Sequence, residues 1–407
     1  MRRTYLLFIL SLLIFLFNCE DNITNSEDES DNQVIENKLY AYFDSLQVNT
    51  PIPGIVAGVW SPNKNIEWVQ SFGYSNLEEG IPMSSNLKFR IASNTKTMTN
   101  TILLQLCDED KIDLSDTLSQ YLPNFRKSDS VTIQMLTDMT SGIREYMESP
   151  KINEWLSKDP GIYFPLDSLI SFAANLEYYF PPGDGWHYSN TNTIIIQKII
   201  QMITGNSLKQ EMKTRLFEPI GLNKTEYLSS GVNIPIPHSQ GYYSGDTTDK
   251  PLNLTEVYNI SLTHGAGAAV STIYELKTYV EHLVNGEYLS EKMHEHRLNH
   301  LVEPSKIPLP LKYGTGWMEW EDFYGHDGGF PGFTSLMVSN PATKTTVIFW
   351  FNCQLYDYSV LDSFAEVYNI LYDEQKIEPS KYHFKLPNFR LENLQYQMNQ
   401  SFNKNKF

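Results

Sequence analysis

A serine and a lysine three residues apart stand at the head of an apolar-periodic run. The stretch is Phe89-Arg90-Ile91-Ala92-Ser93-Asn94-Thr95-Lys96, followed by Met98, Ile102, Leu103 and Leu106. On a helix, residues three apart share a face, so the Ser93 hydroxyl and the Lys96 amine point the same way. The helix N-terminus adds partial positive charge and free backbone N–H groups beside them. An amine kept neutral by burial or a neighbouring cation can make such a serine a nucleophile for acyl transfer. The plain alternative is that Ser93 caps the helix. Ser-x-x-Lys occurs four times, at Ser61, Ser85, Ser93 and Ser401. Ser61 opens a Pro62-Asn63 turn, Ser85 lies in a polar stretch without helical period, and Ser401 lies in a polar tail. Only Ser93 joins a strand-like lead-in to a helix.

Two later stretches carry groups that can serve such a serine. Phe180-Pro181-Pro182-Gly183-Asp184-Gly185-Trp186-His187-Tyr188-Ser189-Asn190 is a loop that runs into an apolar helix, Ile194 to Ile203. A loop tyrosine can act as a general base where cations stabilise its phenolate, and Asn190 can bind the lysine or a substrate amide. The alternative for Tyr188 is a packed ring with a satisfied hydroxyl. Tyr74-Ser75-Asn76 has the same spacing and reads as a hairpin turn. In Tyr324-Gly325-His326-Asp327-Gly328-Gly329-Phe330-Pro331-Gly332-Phe333, four glycines surround a histidine. Glycines there allow close backbone approach, and strand N–H groups can form half of an oxyanion hole with the Ser93 N–H as the other half. The alternative is a glycine-rich turn with an exposed histidine.

Ser93-x-x-Lys96, Tyr188-x-Asn190 and His326-x-Gly328, in that order, resemble the three motifs of the penicillin-recognising serine hydrolases. Within that superfamily the chain is similar to the class C β-lactamase and D-alanyl-D-alanine carboxypeptidase branch. Leu136-Thr137-Asp138-Met139-Thr140-Ser141-Gly142-Ile143, Glu218-Pro219-Ile220-Gly221-Leu222 and Gly265 to Thr272 fit the same likeness, which spans roughly residues 35 to 375. The resemblance implies an acylated Ser93, Lys96 as its proton acceptor or relay, and Tyr188 as base or leaving-group acid. It gives Asn190 and His326 substrate-positioning roles, and it makes the Gly329 N–H, after Gly328, the partner of the Ser93 N–H in an oxyanion hole. His326 stands where β-lactamases of this branch usually have lysine, and His-x-Gly is more typical of its peptidases and esterases. It implies no cofactor and no metal.

Composition sets the frame. The chain has 407 residues, 41% hydrophobic and 13% aromatic, with net charge −17. That is a globular composition, and spread negative charge argues against nucleic acid as a partner. Of three cysteines, Cys107 and Cys353 fall in apolar patterns and read as core residues. Met1-Arg2-Arg3 precedes an apolar run, Leu6 to Phe17, which ends at Asn18-Cys19. A basic start, a short apolar core and a cysteine directly after it resemble a bacterial lipoprotein signal. Lipidation of Cys19 would leave residues 20 onward outside the cytoplasm, in the cell envelope and held at a membrane; the alternative is an uncleaved anchor.

Residues 1–19 therefore read as a signal and 20–33 as an acidic tether. Residues 34–376 read as the hydrolase domain, with an α/β lobe from 34–112 and 262–376 and a helical insert at 113–261; 377–407 is a polar tail. Ile55 to Trp60 and Ile66 to Phe72 read as two strands, and Tyr313 to Trp317, Thr334 to Val338 and Thr346 to Phe351 as three more before a helix near Asp362 to Tyr372. The fold class expected is α/β of the α+β kind: a mostly antiparallel sheet flanked by helices beside an all-helical domain. Loops at Tyr146 to Trp155 and Tyr313 to Trp320 are the expected pocket walls.

Rival motifs carry less. His294-Glu295-His296 with His300 lacks a His-Glu-x-x-His pattern and reads as a solvated helix face. Gly265-Ala266-Gly267 imitates a dinucleotide fingerprint without a βαβ unit, whereas Thr272 to Glu275 reads as a capping box. No Gly-x-Ser-x-Gly elbow occurs. The expected function is acyl transfer to water on cell-wall D-amino-acid peptides, as a D-alanyl-D-alanine carboxypeptidase or D-amino-acid peptidase. An esterase or weak β-lactamase on the same apparatus is the alternative within the enzyme class. A membrane-tethered binding or sensor protein is the alternative outside it. Peptide, ester or β-lactam are the small substrates in view; the oligomeric state is not legible.

Overall fold

The computed structural model describes residues 30–244, 251–304, 311–355 and 360–372. Cys19 and the tail at 377–407 lie outside the described residues. In chain order the strands are β1 (Gly54–Ser61), β2 (Ile66–Asn76), β3 (Ile81–Pro82), β4 (Phe89–Arg90), β5 (Glu226–Tyr227), β6 (Tyr242–Ser244) and β7 (Leu252–Asn253). Then come β8 (Ala269–Ser271), β9 (Leu311–Gly314), β10 (Trp317–Trp320), β11 (Phe323–Phe330), β12 (Phe333–Asn340), β13 (Thr345–Phe351) and β14 (Cys353–Leu355). The helices are α1 (Asp31–Asn49), α2 (Thr95–Asp108), α3 (Ile133–Thr137), α4 (Pro150–Lys158) and α5 (Leu166–Ala174). They continue with α6 (Asn190–Thr204), α7 (Leu208–Met212), α8 (Ile273–Val284), α9 (Glu291–Asn299) and α10 (Val360–Tyr372).

An eight-stranded sheet in the order β3-β2-β1-β13-β12-β11-β10-β9 forms the frame, with every neighbouring pair antiparallel. Its central strands are covered on both faces. All eight residues of β1 are buried, and they alternate between two cores. Ile55, Ala57 and Val59 join the core under α1 and α10, while Val56 and Trp60 join the core shared with α2 and α8. The period of two along a strand thus feeds both layers. Phe43 of α1 anchors the first core by packing on Trp68, Phe72 and Phe349. Helices α3 to α7 fall between the two sets of sheet strands and continue the second core.

Three sequence expectations are corrected locally. Helix α1 starts at Asp31, inside the segment read as tether, with an acid favourably placed in its first turn. Tyr74 and Asn76 belong to β2, where a bulge pairs them with β3, so they form no hairpin turn. Tyr313 to Trp317 is not one strand but the corner of a two-residue hairpin: Thr315 and Gly316 both have positive φ (49° and 77°), as a turn matched to strand twist requires.

Candidate active site

The nucleophile candidate sits on a strained turn. Ala92–Asn94 forms a 3-10 turn between β4 and α2, and Ala92 is held at φ 48°, a region costly for a residue with a Cβ. Ser93 makes no helix cap; α2 starts at Thr95, and the Ser93 hydroxyl faces Lys96 and Tyr188 instead. The turn is clamped from below. Asn94 Nδ2 donates to Ile91 O (2.8 Å) and Ser335 Oγ (2.9 Å), tying the turn to β12. Gly328 of β11 lies under it, and a Cβ there would meet Ile91 O at 2.3 Å and Ser335 Oγ at 2.6 Å. Only glycine lets the strand approach this closely, which brings the next residue, Gly329, into the cleft wall beside Ser93.

Lys96 is buried, with Nζ 2.9 Å from Ser93 Oγ and donating to Ala266 O at 2.8 Å. Burial lowers its pKa to about 7, against the opposing pull of the anions Glu145 and Asp327. Near neutral pH the amine therefore has a lone pair to offer. Tyr188 packs its ring under that amine, 4.9 Å from the centroid, and hydrogen-bonds Ser93. Burial, with Tyr313 and Asp327 nearby, pushes the Tyr188 hydroxyl well above its ordinary pKa. Burial thus favours the protonated hydroxyl, which stands beside Ser93. Asn190, the first residue of α6, lines the same cleft.

His326 is where reading and structure part. It lies inside β11, opposite Met337 of β12, and is buried. Its Nδ1 is 2.6 Å from Asp327 O, an acceptor only, so that nitrogen carries the proton. Its Nε2 faces the Tyr313 hydroxyl at 3.5 Å; the Tyr313 ring stands edge to face with those of Tyr188 and His326, and the latter two are tilted against each other. His326 is thus part of the floor that supports Tyr188 and does not line the cleft.

The cleft encloses about 310 Å³. One wall is Met147, Ile152 and Leu156, so the segment suggested as a loop at Tyr146 to Trp155 does reach the cleft, but Ile152 and Leu156 stand on α4. The facing wall is Leu262, Phe330 and Pro331, not the Tyr313 to Trp320 hairpin. Apart from Lys96 beneath Ser93, no lysine, arginine or histidine borders it among the described residues. The charged residue on its rim, Glu148, is already bound by Arg144 Nη1 (2.9 Å) and the Tyr179 hydroxyl (2.7 Å).

Two participants escaped the sequence reading. Ala266 supplies the carbonyl that holds Lys96, whereas in the sequence the Gly265-Ala266-Gly267 stretch figured only in the family likeness and as an imitation of a dinucleotide fingerprint. Glu145 is buried, and its carboxylate accepts from the backbone N–H of Asn190 (2.5 Å) and of Met147 (3.3 Å). No periodic signal marks it. The decoys resolve structurally: His296 bonds Gln134 (2.8 Å) and stacks on His300, and Thr272 caps α8 while Glu275 bonds Asn223, Lys224 and Thr225 instead of closing the box. The Cys107 thiol is pushed up to about 12 and that of Cys353 to about 11, both chiefly by burial.

A mostly antiparallel sheet flanked by helices, with serine, lysine and tyrosine gathered against its inner strands β11 and β12, is the frame of the penicillin-recognising serine hydrolases. Residues 39–363 match the family described as Beta-lactamase, and the chain belongs to it as a serine hydrolase. Penicillin-binding protein 4* of Bacillus subtilis (strain 168) is 26% identical over 332 residues, which cover 77% of this chain and 71% of that protein. The D-stereospecific amidohydrolase from Streptomyces sp. superposes with TM-score 0.69 at 25% identity, over 79% of this chain and 94% of that one. The D-amino acid amidase from Ochrobactrum anthropi SV3, complexed with D-phenylalanine, gives TM-score 0.73 at 21% identity, over 83% and 99%. The last likeness establishes the fold.

Proposed function

We propose that this protein hydrolyses amide or peptide bonds on the carbonyl side of a D-amino acid, through a covalent acyl-enzyme on Ser93. The observation that carries the reading is the buried Lys96 amine, 2.9 Å from Ser93 Oγ and fixed by Ala266 O. With one N–H on that carbonyl, the neutral amine turns its lone pair to the serine. The Ser93 proton passes to Nζ as the Oγ–C bond forms, and the carbonyl electron pair moves onto oxygen between the Ser93 and Gly329 N–H groups. Collapse re-forms the carbonyl and breaks the C–N bond; the leaving nitrogen takes the Tyr188 hydroxyl proton, and Tyr188 regains one from the Lys96 ammonium. Water then attacks the ester with the same groups in reversed roles and frees the acid. Asn190 holds the substrate amide.

The cleft and the relatives together favour this substrate. Met147, Ile152, Leu156, Leu262 and Phe330 suit an apolar side chain. A carboxypeptidase substrate and a penicillin each carry a free carboxylate, and among the described residues no lysine, arginine or histidine side chain lines these walls to receive it. Two neighbours are named for D-stereospecific amide hydrolysis and D-amino acid amides. The test is a panel of D- and L-phenylalaninamide, a peptide ending in D-Ala-D-Ala, p-nitrophenyl acetate and a penicillin. Hydrolysis of the D-amide, lost in Ser93→Ala, is expected. Release of D-alanine without amide turnover would restore the carboxypeptidase reading, and ester turnover alone would make the protein an esterase.

The basic start, the Leu6 to Phe17 run and Cys19 support export and lipid attachment in the cell envelope. Cys19→Ser is expected to move the protein from the membrane to the soluble fraction; an unchanged membrane share would reject lipidation as the anchor.

A further inference from the structure

The Ser-Lys-Tyr set does not explain why a carboxylate is buried at the back of the site. Glu145 has 1% exposure and sits in the loop that follows Ser141, yet both its oxygens are spent on backbone N–H groups. One of these belongs to Asn190, the first residue of α6, two residues after Tyr188. The N-cap residue Ser189 offers no side-chain bond to that helix, so a carboxylate 45 residues upstream does the work of a cap. The same loop is stitched to the same turn three more times. Ser141 Oγ donates to Asn192 Oδ1 (2.6 Å), Thr191 Oγ1 donates to Arg144 O (2.8 Å), and Tyr146 N donates to Thr191 Oγ1 (2.8 Å).

We propose that Glu145 is a positioning residue that pins the Tyr188-x-Asn190 turn and supplies the buried negative charge against which the Lys96 ammonium forms during acylation. A helix N-terminus and a nearby cation both favour an anion at this place. The groups that face it are Lys96 from α2, Tyr188 and Asn190 from the α6 entry, Tyr179, whose hydroxyl accepts from Glu145 N, and Glu148 on its own loop. Asp327 of β11 adds a second negative charge on Lys96. Burial raises the Glu145 pKa to about 7, against the bonds from Asn190 and Met147 and the charge of Lys96. Burial thus lowers the amine and raises the carboxyl, and the ionised carboxyl is the form that stabilises the ammonium.

The proposal rests on Ser93 as nucleophile but not on any substrate class. The full chain is labelled with a fluorophosphonate, and the rate of adduct formation on Ser93 is followed from acid to alkaline pH. The wild-type rate is expected to rise to a plateau through about 7. Glu145→Gln keeps an acceptor and removes the charge, so the midpoint should fall by roughly one pH unit and the plateau by about tenfold. Glu145→Asp keeps the charge but shortens the reach, so it should hold the wild-type midpoint with a lowered plateau. A purely structural role would change the plateau and leave the Glu145→Gln midpoint in place; that result overturns the proposal. If Glu145→Gln does not fold, Glu145→Asp still decides, because a wild-type plateau in that variant removes the positioning claim. A wild-type protein that never labels contradicts the nucleophile assignment instead.

Discussion

The two helices that carry the site begin in opposite ways. The α2 entry is made locally: Ile91, Ala92, Asn94 and Thr95 bond one another within a few residues, and the strain at Ala92 is held by Gly328 and Ser335 beneath. The α6 entry is made at long range, by Ser141, Arg144, Glu145 and Tyr146 from a loop about one-tenth of the chain upstream. The first builds a rigid nucleophile against a sheet. The second holds Tyr188 and Asn190, the proposed proton carrier and amide ligand, against a loop that leads into the apolar cleft wall. Positioning of Tyr188 and shape of the apolar wall are thereby coupled through one loop, while Ser93 is positioned by the sheet.

Substitutions can break that contrast. Lys96→Ala is expected to lower kcat/KM by about 10³-fold or more, because the proton acceptor acts as one unit with the serine. The variant should keep most of its thermal stability, since the cost of burying the amine is removed together with its bonds to Ser93 and Ala266; calorimetry beside kinetics checks both. Gly328→Ala comes next. Its Cβ falls 2.3 Å from Ile91 O, so the turn must lift from β11, costing about 1–3 kcal/mol and about 10²-fold in kcat with KM little changed.

The pH profile follows from Lys96. Its amine is neutral above about 7 and protonated below, so kcat/KM should fall about tenfold per pH unit on the acid side and level off above. A flat profile from acid to neutral pH would mean that another group takes the serine proton.

On the α6 side, Ser141→Ala breaks one of four stitches and leaves Asn192 with a weaker partner. A loss of about 1 kcal/mol and a few-fold rise in KM with small change in kcat are expected, read by urea unfolding and steady-state kinetics. The smallest functional effect should come from His326→Gln. It disturbs the floor near Tyr313, at about 1–2 kcal/mol in stability. It should not discriminate between substrates with and without a free carboxylate, because His326 does not border the cleft.

Legibility in the sequence follows the same contrast. Ser93 and Lys96 are three residues apart on one helix, so spacing and an apolar stripe reveal them. The sheet strands show as short β-rich runs between Gly, Pro and Asn turns, and β1, β2, β12 and β13 fall where those runs lie. Tyr188 and Asn190 are marked by the loop-to-helix change, though the direction of proton transfer at Tyr188 depends on burial that no local pattern encodes. Glu145 is illegible because its meaning lies in a bond to Asn190, far along the chain. His326 misleads for a related reason: a glycine-rich strand exposes its backbone to the cleft at Gly329 while turning the histidine ring into the protein. The motif says what is near the site, and only the packing says which atoms face it.

The central claim is that a buried, neutral Lys96 makes Ser93 a nucleophile for D-aminoacyl amides. Intact-protein mass spectrometry after rapid mixing with D-phenylalaninamide, quenched in acid, tests it most directly. The account predicts a mass increase of one D-phenylalanyl group located on Ser93, faster at pH 8 than at pH 6, and absent with the L-amide and in Lys96→Ala. Steady D-amide turnover with no acyl group on Ser93, or an adduct equally fast in Lys96→Ala, would contradict it.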